Sequence, residues 1–142
     1  MRRLVPDWVW GVITLMQEAQ GEPYSTKLAC AEVILLRTKL HYMSDGTVAG
    51  TVLWPMQFSG WNAHDDTPQY RERIECAKIC EGDPAVDDCI KAWKEAEAGS
   101  DTTKGALLYY NPSIVKPAPA WAAKCIETAM IDKQRFMKEA RR

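Results

Sequence analysis

Apolar and polar positions along the chain alternate mostly with a helical period. Trp8, Val12, Leu15 and Met16 fall at i, i+4, i+7 and i+8 and predict a first helix, starting near Pro6 or Asp7 and ended by Gly21 and Pro23. Ser25 is placed to cap a second helix whose core face reads Leu28, Val33, Ile34 and Leu36. Asp45-Gly46 marks a turn, and Thr47 caps a short third helix reaching Leu53. Pro55 stops that helix and opens a loop through Met56-Gln57-Phe58-Ser59-Gly60-Trp61-Asn62. The period is helical again from Pro68 to Glu81, and Asp83-Pro84 restarts a helix that ends at Gly99. Gly105-Ala106-Leu107-Leu108-Tyr109-Tyr110-Asn111-Pro112 reads as a short strand entering a turn. The tail, Cys125 to Met137, fits either a helix or a strand pairing with Leu107–Tyr110. Helices dominate, so the fold class expected is mainly α, or α+β with a small sheet.

Composition narrows the function more than the fold. The 142 residues suit one domain, 1–142, with 46% apolar and 26% charged positions, an ordinary globular balance. The formal charge is −1 and lysines and arginines alternate with acids, so no footprint for nucleic acid is present. The apolar run Trp8–Ile13 follows Arg2-Arg3, but Asp7 interrupts it and no small-residue cleavage site follows. A soluble cytoplasmic product without a signal peptide or stable membrane insertion is expected, acting as a monomer. Five cysteines (Cys30, Cys76, Cys80, Cys89 and Cys125) are an odd number, and a mainly structural role is expected of them. Only His41 and His64 are present, in no metal-ligand spacing, so no metal and no cofactor are expected.

The chemistry concentrates on Glu18. A carboxylate in the last turn of an apolar helix meets the negative end of the helix dipole, which disfavours ionisation. Such a group stays protonated near neutral pH and can donate a proton to a leaving oxygen. Around it, Gln17-Glu18-Ala19-Gln20-Gly21-Glu22-Pro23-Tyr24, followed by Ala29–Leu36 and Arg37, resembles the opening of the SleB/CwlJ-type cell wall hydrolase family. Three further blocks match in order: Pro55–Trp61, Asp101–Pro112 and Pro119-Ala120-Trp121.

The resemblance implies a lysozyme-like, two-lobed domain with a small sheet, related to lytic transglycosylases, whose partner is the glycan strand of peptidoglycan. It places the catalytic glutamate of the family's E-x-x-G-E motif on Glu18 and the second glutamate on Glu22, as an organiser of the site. It sets Gln57, Phe58, Ser59 and Trp61 in the loop flanking the sugar cleft, and Tyr109, Tyr110 and Asn111 on the cleft wall. One departure stands out: the family's closing G-x-H-x-F element corresponds here to Asp132-Lys133-Gln134-Arg135-Phe136, with glutamine in place of histidine.

Cleavage of the β-1,4 bond between N-acetylmuramic acid and N-acetylglucosamine needs a proton for the leaving oxygen and help at an oxocarbenium-like centre. The muramic acetamido oxygen can give that help, so one glutamate suffices. Attack by the sugar's own 6-hydroxyl gives a 1,6-anhydro end, the transglycosylase outcome; water gives a reducing end, the muramidase outcome, for which Asp65, Asp66 and Asp101 are candidate second carboxylates. Aromatic rings suit the apolar faces of sugars, and Trp54, Phe58, Trp61, Tyr109, Tyr110 and Trp121 lie in or beside the matching blocks, whereas Trp8, Trp10 and Trp93 are expected in the core. A non-catalytic glycan-binding or virion protein is the alternative from another class. The setting expected is a phage endolysin released through holes made by a separate holin-like membrane protein.

Overall fold

A computed structural model describes residues 2–61 and 78–140 of the chain. Helix α1 (Asp7–Ala19) buries Val12, Leu15, Met16 and Ala19, the stripe its spacing predicts. Trp8 departs from that stripe: it is 39% exposed, because residues 2–8, the first turn of α1 included, run outside the core. Helix α2 (Tyr24–Leu40) is the centre of the molecule and is buried over most of its circumference from Thr26 to Ile34. It packs against α1, against the short helix α3 (Val48–Val52), against α4 (Pro84–Glu97) and against the sheet. A helix with neighbours on all sides has no single apolar face, and Leu36, expected in the core, is only half-buried.

The caps explain where the helices start. Thr47 Oγ1 accepts from the Gly50 amide at 2.9 Å and opens α3 as predicted, and Asp83 accepts from the Ala85 amide at 2.9 Å ahead of Pro84 in α4. Ser25 does not cap α2. The helix begins at Tyr24 behind Pro23 with no side-chain cap, and Ser25 Oγ instead donates to Asp132 Oδ2 at 2.6 Å. Of the helix expected over Pro68 to Glu81, the part up to 77 lies outside the described residues, and residues 78–81 are turn and irregular chain.

The tail takes the second of its two expected forms. Strands β1 (Leu108–Tyr110), β2 (Cys125–Ile131) and β3 (Gln134–Glu139) make an antiparallel sheet of order β1-β3-β2, with Tyr109 opposite Phe136. The β2–β3 hairpin turns at Asp132-Lys133, with Asp132 in the left-handed region at φ 52°. Both Ser25 and Thr26 of α2 donate to Asp132, which fastens the hairpin to the helix. These bonds hold the Asp132 carboxyl below the usual carboxylate range.

Two apolar clusters result. The larger joins α1, α2, α3 and α4 around Trp93, which is fully buried. Gly11 of α1 lies against that indole so closely that a Cβ there would sit 2.5 Å from ring carbons. The smaller joins Ala29 and Val33 of α2 to Ala106 and Phe136, and seats the sheet on the helix. Among the described residues no helix is long and apolar enough to cross a membrane.

Candidate active site

The end of α1, the middle of α2, the loop after α3 and strand β1 converge on Glu18. The glutamate is half-buried in the last turn of α1, which carries no basic residue in that turn. Tyr109 reaches it from β1, its hydroxyl donating to Glu18 Oε1 at 3.3 Å. Behind Tyr109 stands Cys30 of α2, buried, its thiol pushed up to about 12 first by desolvation and then by the Glu18 charge. Burial, with Cys30 and Glu18 beside it, likewise drives the Tyr109 phenol well above its ordinary value. Both groups therefore stay neutral at any physiological pH; Tyr109 meets Glu18 as a hydrogen-bond donor, and Cys30 is hydrogen-bonded to Tyr109.

Arg37 brings a positive charge to this side of the molecule. It is 4% exposed and its pKa is lowered by burial, while the Tyr109, Tyr42 and Glu18 charges act in the opposite direction. Its Nε donates to the Leu107 carbonyl at 2.6 Å and its Nη1 to Gln57 Oε1 at 3.1 Å. Its guanidinium carbon lies 5.3 Å from the centroid of the Phe58 ring, a cation–π contact. One arginine thus ties the strand carrying Tyr109 to the loop carrying Gln57. Beside these groups opens a cavity of about 240 Å³ lined by Arg37, Tyr42, Gln57, Tyr109 and Trp121 among others.

Strand β1 is positioned by a polar clasp. Glu32 of α2 is buried and accepts from Ser100 Oγ at 2.7 Å, from Thr102 Oγ1 at 3.0 Å and from the Thr103 amide at 2.9 Å. The clasp fixes the segment that leads into Leu107 and β1. The loop on the other side is held by a close approach: a Cβ on Gly60 would fall 2.5 Å from Gln17 Oε1, next to Glu18 in α1.

The expected site residues thus separate. Glu18, Gln57 and Tyr109 come together. Trp61 is half-buried, its indole N–H donating to Thr14 Oγ1 at 3.0 Å and its ring 5.4 Å from Trp10, so it braces the loop on α1. Phe58 is 1% exposed and supports Arg37 from the core, so it cannot offer its ring to a sugar. Tyr110 is 7% exposed and its hydroxyl accepts from Arg135 Nη1 at 2.8 Å. Asn111 Oδ1 accepts from the Ser113 amide at 2.9 Å and shapes the turn after β1. Ser59 is exposed on the turn Ser59–Trp61, and Glu22 is half-buried, its backbone carbonyl accepting from Lys27 Nζ. Of the aromatics expected in the core, Trp93 is there and Trp10 is half-buried. Asp101 accepts from the Gly105 amide at 3.0 Å in an exposed turn, while Asp65, Asp66, His64 and Cys76 lie outside the described residues.

Cys30 and Glu32 were not singled out by chemistry in the sequence, since both look like ordinary helix positions. The signal was present for Glu32: a carboxylate in the middle of an otherwise apolar helical face requires partners, and Ser100-Asp101-Thr102-Thr103 supplies them.

The sequence profile of the cell wall hydrolases matches residues 21–137. The chain belongs to the cell wall hydrolase family. The match begins three residues after Glu18, so the family assignment rests on the rest of the site and not on that glutamate. Among cell wall hydrolases, the spore cortex-lytic enzyme of Bacillus subtilis (strain 168) is 32% identical over 119 residues, covering 84% of this chain. The chain spans about a third of that relative's length, 32%. The catalytic domain of Bacillus cereus SleB superposes with a TM-score of 0.70 at 25% identity, covering 97% of this chain and 98% of that one. The catalytic domain of the germination-specific lytic transglycosylase SleB from Bacillus anthracis shares the fold, with a TM-score of 0.69 at 24% identity over 97% of this chain and all of that one. The mainly helical fold with a small three-stranded sheet is thus that of a cell wall hydrolase catalytic domain.

Proposed function

We propose that the chain cleaves peptidoglycan glycan strands between N-acetylmuramic acid and N-acetylglucosamine as a lytic transglycosylase, with Glu18 as acid and then base. The observation that carries this is the half-buried Glu18 carboxyl at the end of α1, met at 3.3 Å by the Tyr109 hydroxyl beside an aromatic-lined cavity. Protonated Glu18 gives its proton to the oxygen leaving the muramic anomeric carbon, and that carbon–oxygen bond breaks. The acetamido oxygen of the same sugar supports the positive charge left behind. The Glu18 carboxylate then removes the proton of the 6-hydroxyl, whose oxygen bonds to the anomeric carbon and closes a 1,6-anhydro ring. Proton count is restored at Glu18, and no water is consumed. Tyr109 donates to the carboxylate formed in the first half and so stabilises it where charge develops. Membership of the cell wall hydrolase family and the fold shared with the SleB catalytic domains support this substrate class.

Mass spectrometry of muropeptides released from purified peptidoglycan tests it. Anhydromuramic ends are expected from the wild type. Glu18→Gln should lower the rate by about 10²–10⁴-fold, the range for losing a positioned acid, with the thermal midpoint preserved because the amide keeps the acceptor that Tyr109 uses. Reducing muramic ends would replace the transglycosylase with a hydrolytic muramidase, and binding to the wall without release of fragments would make the chain a glycan-binding protein. A role as a phage endolysin is proposed alongside. Lysis that requires co-expression of a pore-forming membrane protein supports it, and lysis by the cytoplasmic chain alone overturns it.

A further inference from the structure

The guanidinium of Arg37 has hydrogen-bond partners but, among the described residues, no ion-pair partner. Its hydrogen-bond acceptors are a backbone carbonyl and an amide oxygen, both neutral, and among the described residues no carboxylate lies within 4 Å of it. A buried cation left so has given up hydration that no opposite charge restores. A planar fork of five N–H donors is also more than two acceptors can satisfy. Arg37 lines a cavity with Tyr42, Met43, Met56, Gln57 and Trp121, and Tyr109 of the same lining reaches Glu18.

Two features mark this hollow as a built site. Met43 and Met56 both hold left-handed backbone, φ 47° and 65°, a strained conformation for non-glycine residues that gathers at ligand clamps. Their thioether chains adapt to apolar groups of irregular shape. At about 240 Å³ the cavity holds roughly eight water-sized volumes, room for a substituent of a sugar and not for a disaccharide. Tyr109 is shared by both places, lining the cavity and donating to Glu18, so an occupant lies one side chain from the acid.

We propose that this cavity is a carboxylate subsite. It takes the acidic substituent of muramic acid, with Arg37 donating to the carboxylate and Met43, Met56 and Trp121 packing its apolar part. The inference rests on the proposed cleavage of peptidoglycan and adds how the chain tells muramic acid strands from neutral glucosamine polymers. The carboxylate has two alternative sources of the same chemistry: the lactyl group where no stem peptide is attached, or a carboxylate of the stem peptide where its attachment has made the lactyl group an amide.

Titration of methyl-labelled wild-type protein with N-acetylmuramic acid, its methyl ester and N-acetylglucosamine, followed by NMR, tests the inference without any bond being broken. The acid should shift the Met43 and Met56 methyl resonances and bind about tenfold or more tighter than the ester or the neutral sugar, as charge-assisted bonds exceed neutral ones. Arg37→Gln should erase that preference with the remaining methyl resonances unmoved. Where Arg37→Gln does not fold, the acid-against-ester comparison on the wild type decides alone. Equal binding of acid and ester, or shifts confined to other methyls, overturns the subsite. Tighter binding of N-acetylmuramoyl-alanine than of N-acetylmuramic acid assigns the carboxylate to the stem, and the reverse to the lactyl group. Failure of the cleavage proposal shows separately, as binding of the acid by a protein that releases no fragments from peptidoglycan.

Discussion

The helical half and the sheet half of this molecule are held by different forces. Around Trp93, contact is between apolar surfaces: the indole is fully buried, Gly11 lies flat against it, and Cys89 Sγ meets Met16 Sδ at 3.6 Å. The sheet half has a smaller cluster, around Phe136, and is fastened by charged clasps: Glu32 on residues 100–103, Arg37 on Leu107 and Gln57, and Asp132 on Ser25 and Thr26. Apolar packing gives stability roughly in proportion to buried area and tolerates small shifts. Charged hydrogen bonds tolerate little, and they position β1 and its Tyr109 within reach of Glu18. The half that supplies stability is therefore distinct from the bonds that set the geometry of the site.

Substitutions in the two halves should break along that line. Trp93→Ala empties the largest fully buried side chain and should cost about 3–5 kcal/mol in chemical denaturation, unfolding both halves together. Glu32→Gln leaves the Thr103 amide and two hydroxyls facing a group with one acceptor, and should cost about 2 kcal/mol. Its mark is a larger loss of activity than of stability, with faster amide exchange over 103–110 and helical circular dichroism intact. Gly11→Ala adds a methyl against a ring that cannot move, an overpacking of about 1–3 kcal/mol set against about 1 kcal/mol of gained helix propensity. A lowered melting temperature with unchanged activity per folded molecule is expected. Were Gly11→Ala to stabilise the protein, the tight fit of the indole on α1 would not be what orders that half.

The smallest effect concerns pH. The Asp132 carboxyl is held below its ordinary value by hydrogen bonds from Ser25 and Thr26, so its contribution is present above the unfolded carboxylate pKa and is lost as pH falls through the lower folded one. Asp132→Asn keeps a residue that accepts left-handed backbone. It should lower stability by less than about 1 kcal/mol at pH 7 and by less still as pH falls below about 4, from the unfolded carboxylate pKa towards the lower folded one. Urea midpoints across that range check the difference. A constant gap at all pH values would show that the carboxylate charge contributes nothing to the docking of the hairpin.

Much of the helical half was legible in the sequence. The stripe Val12, Leu15, Met16, the caps Thr47 and Asp83, and the proline at the start of α4 are local signals, and each does locally what its chemistry dictates. Trp8 and Ser25 failed the same logic because a neighbour decided them. Trp8 lies beyond the reach of the core, and Ser25 has Asp132 to bond across 107 residues of chain. For the site, the sequence pointed to Glu18 and to Tyr109, and the fold brought the two within 3.3 Å. Phe58 was expected at a sugar and stands in the core, since aromatic residues look alike in sequence whichever face they turn.

Taken alone, the sequence determined α1, α3 and α4 and the family, because periodicity and caps are short-range and the matching blocks keep their order along the chain. Only the tertiary structure decided which strand the tail forms, what Glu32 clasps, and that Arg37 has no ion-pair partner among the described residues where it lines the cavity with Tyr109. Those outcomes depend on partners some 70 residues apart, as in the bonds from Arg37 to Leu107 and from Thr103 to Glu32. A buried charge has no spacing rule to announce it. Its partners are chosen by the packing of the whole chain, and so is the hollow left where no partner is supplied.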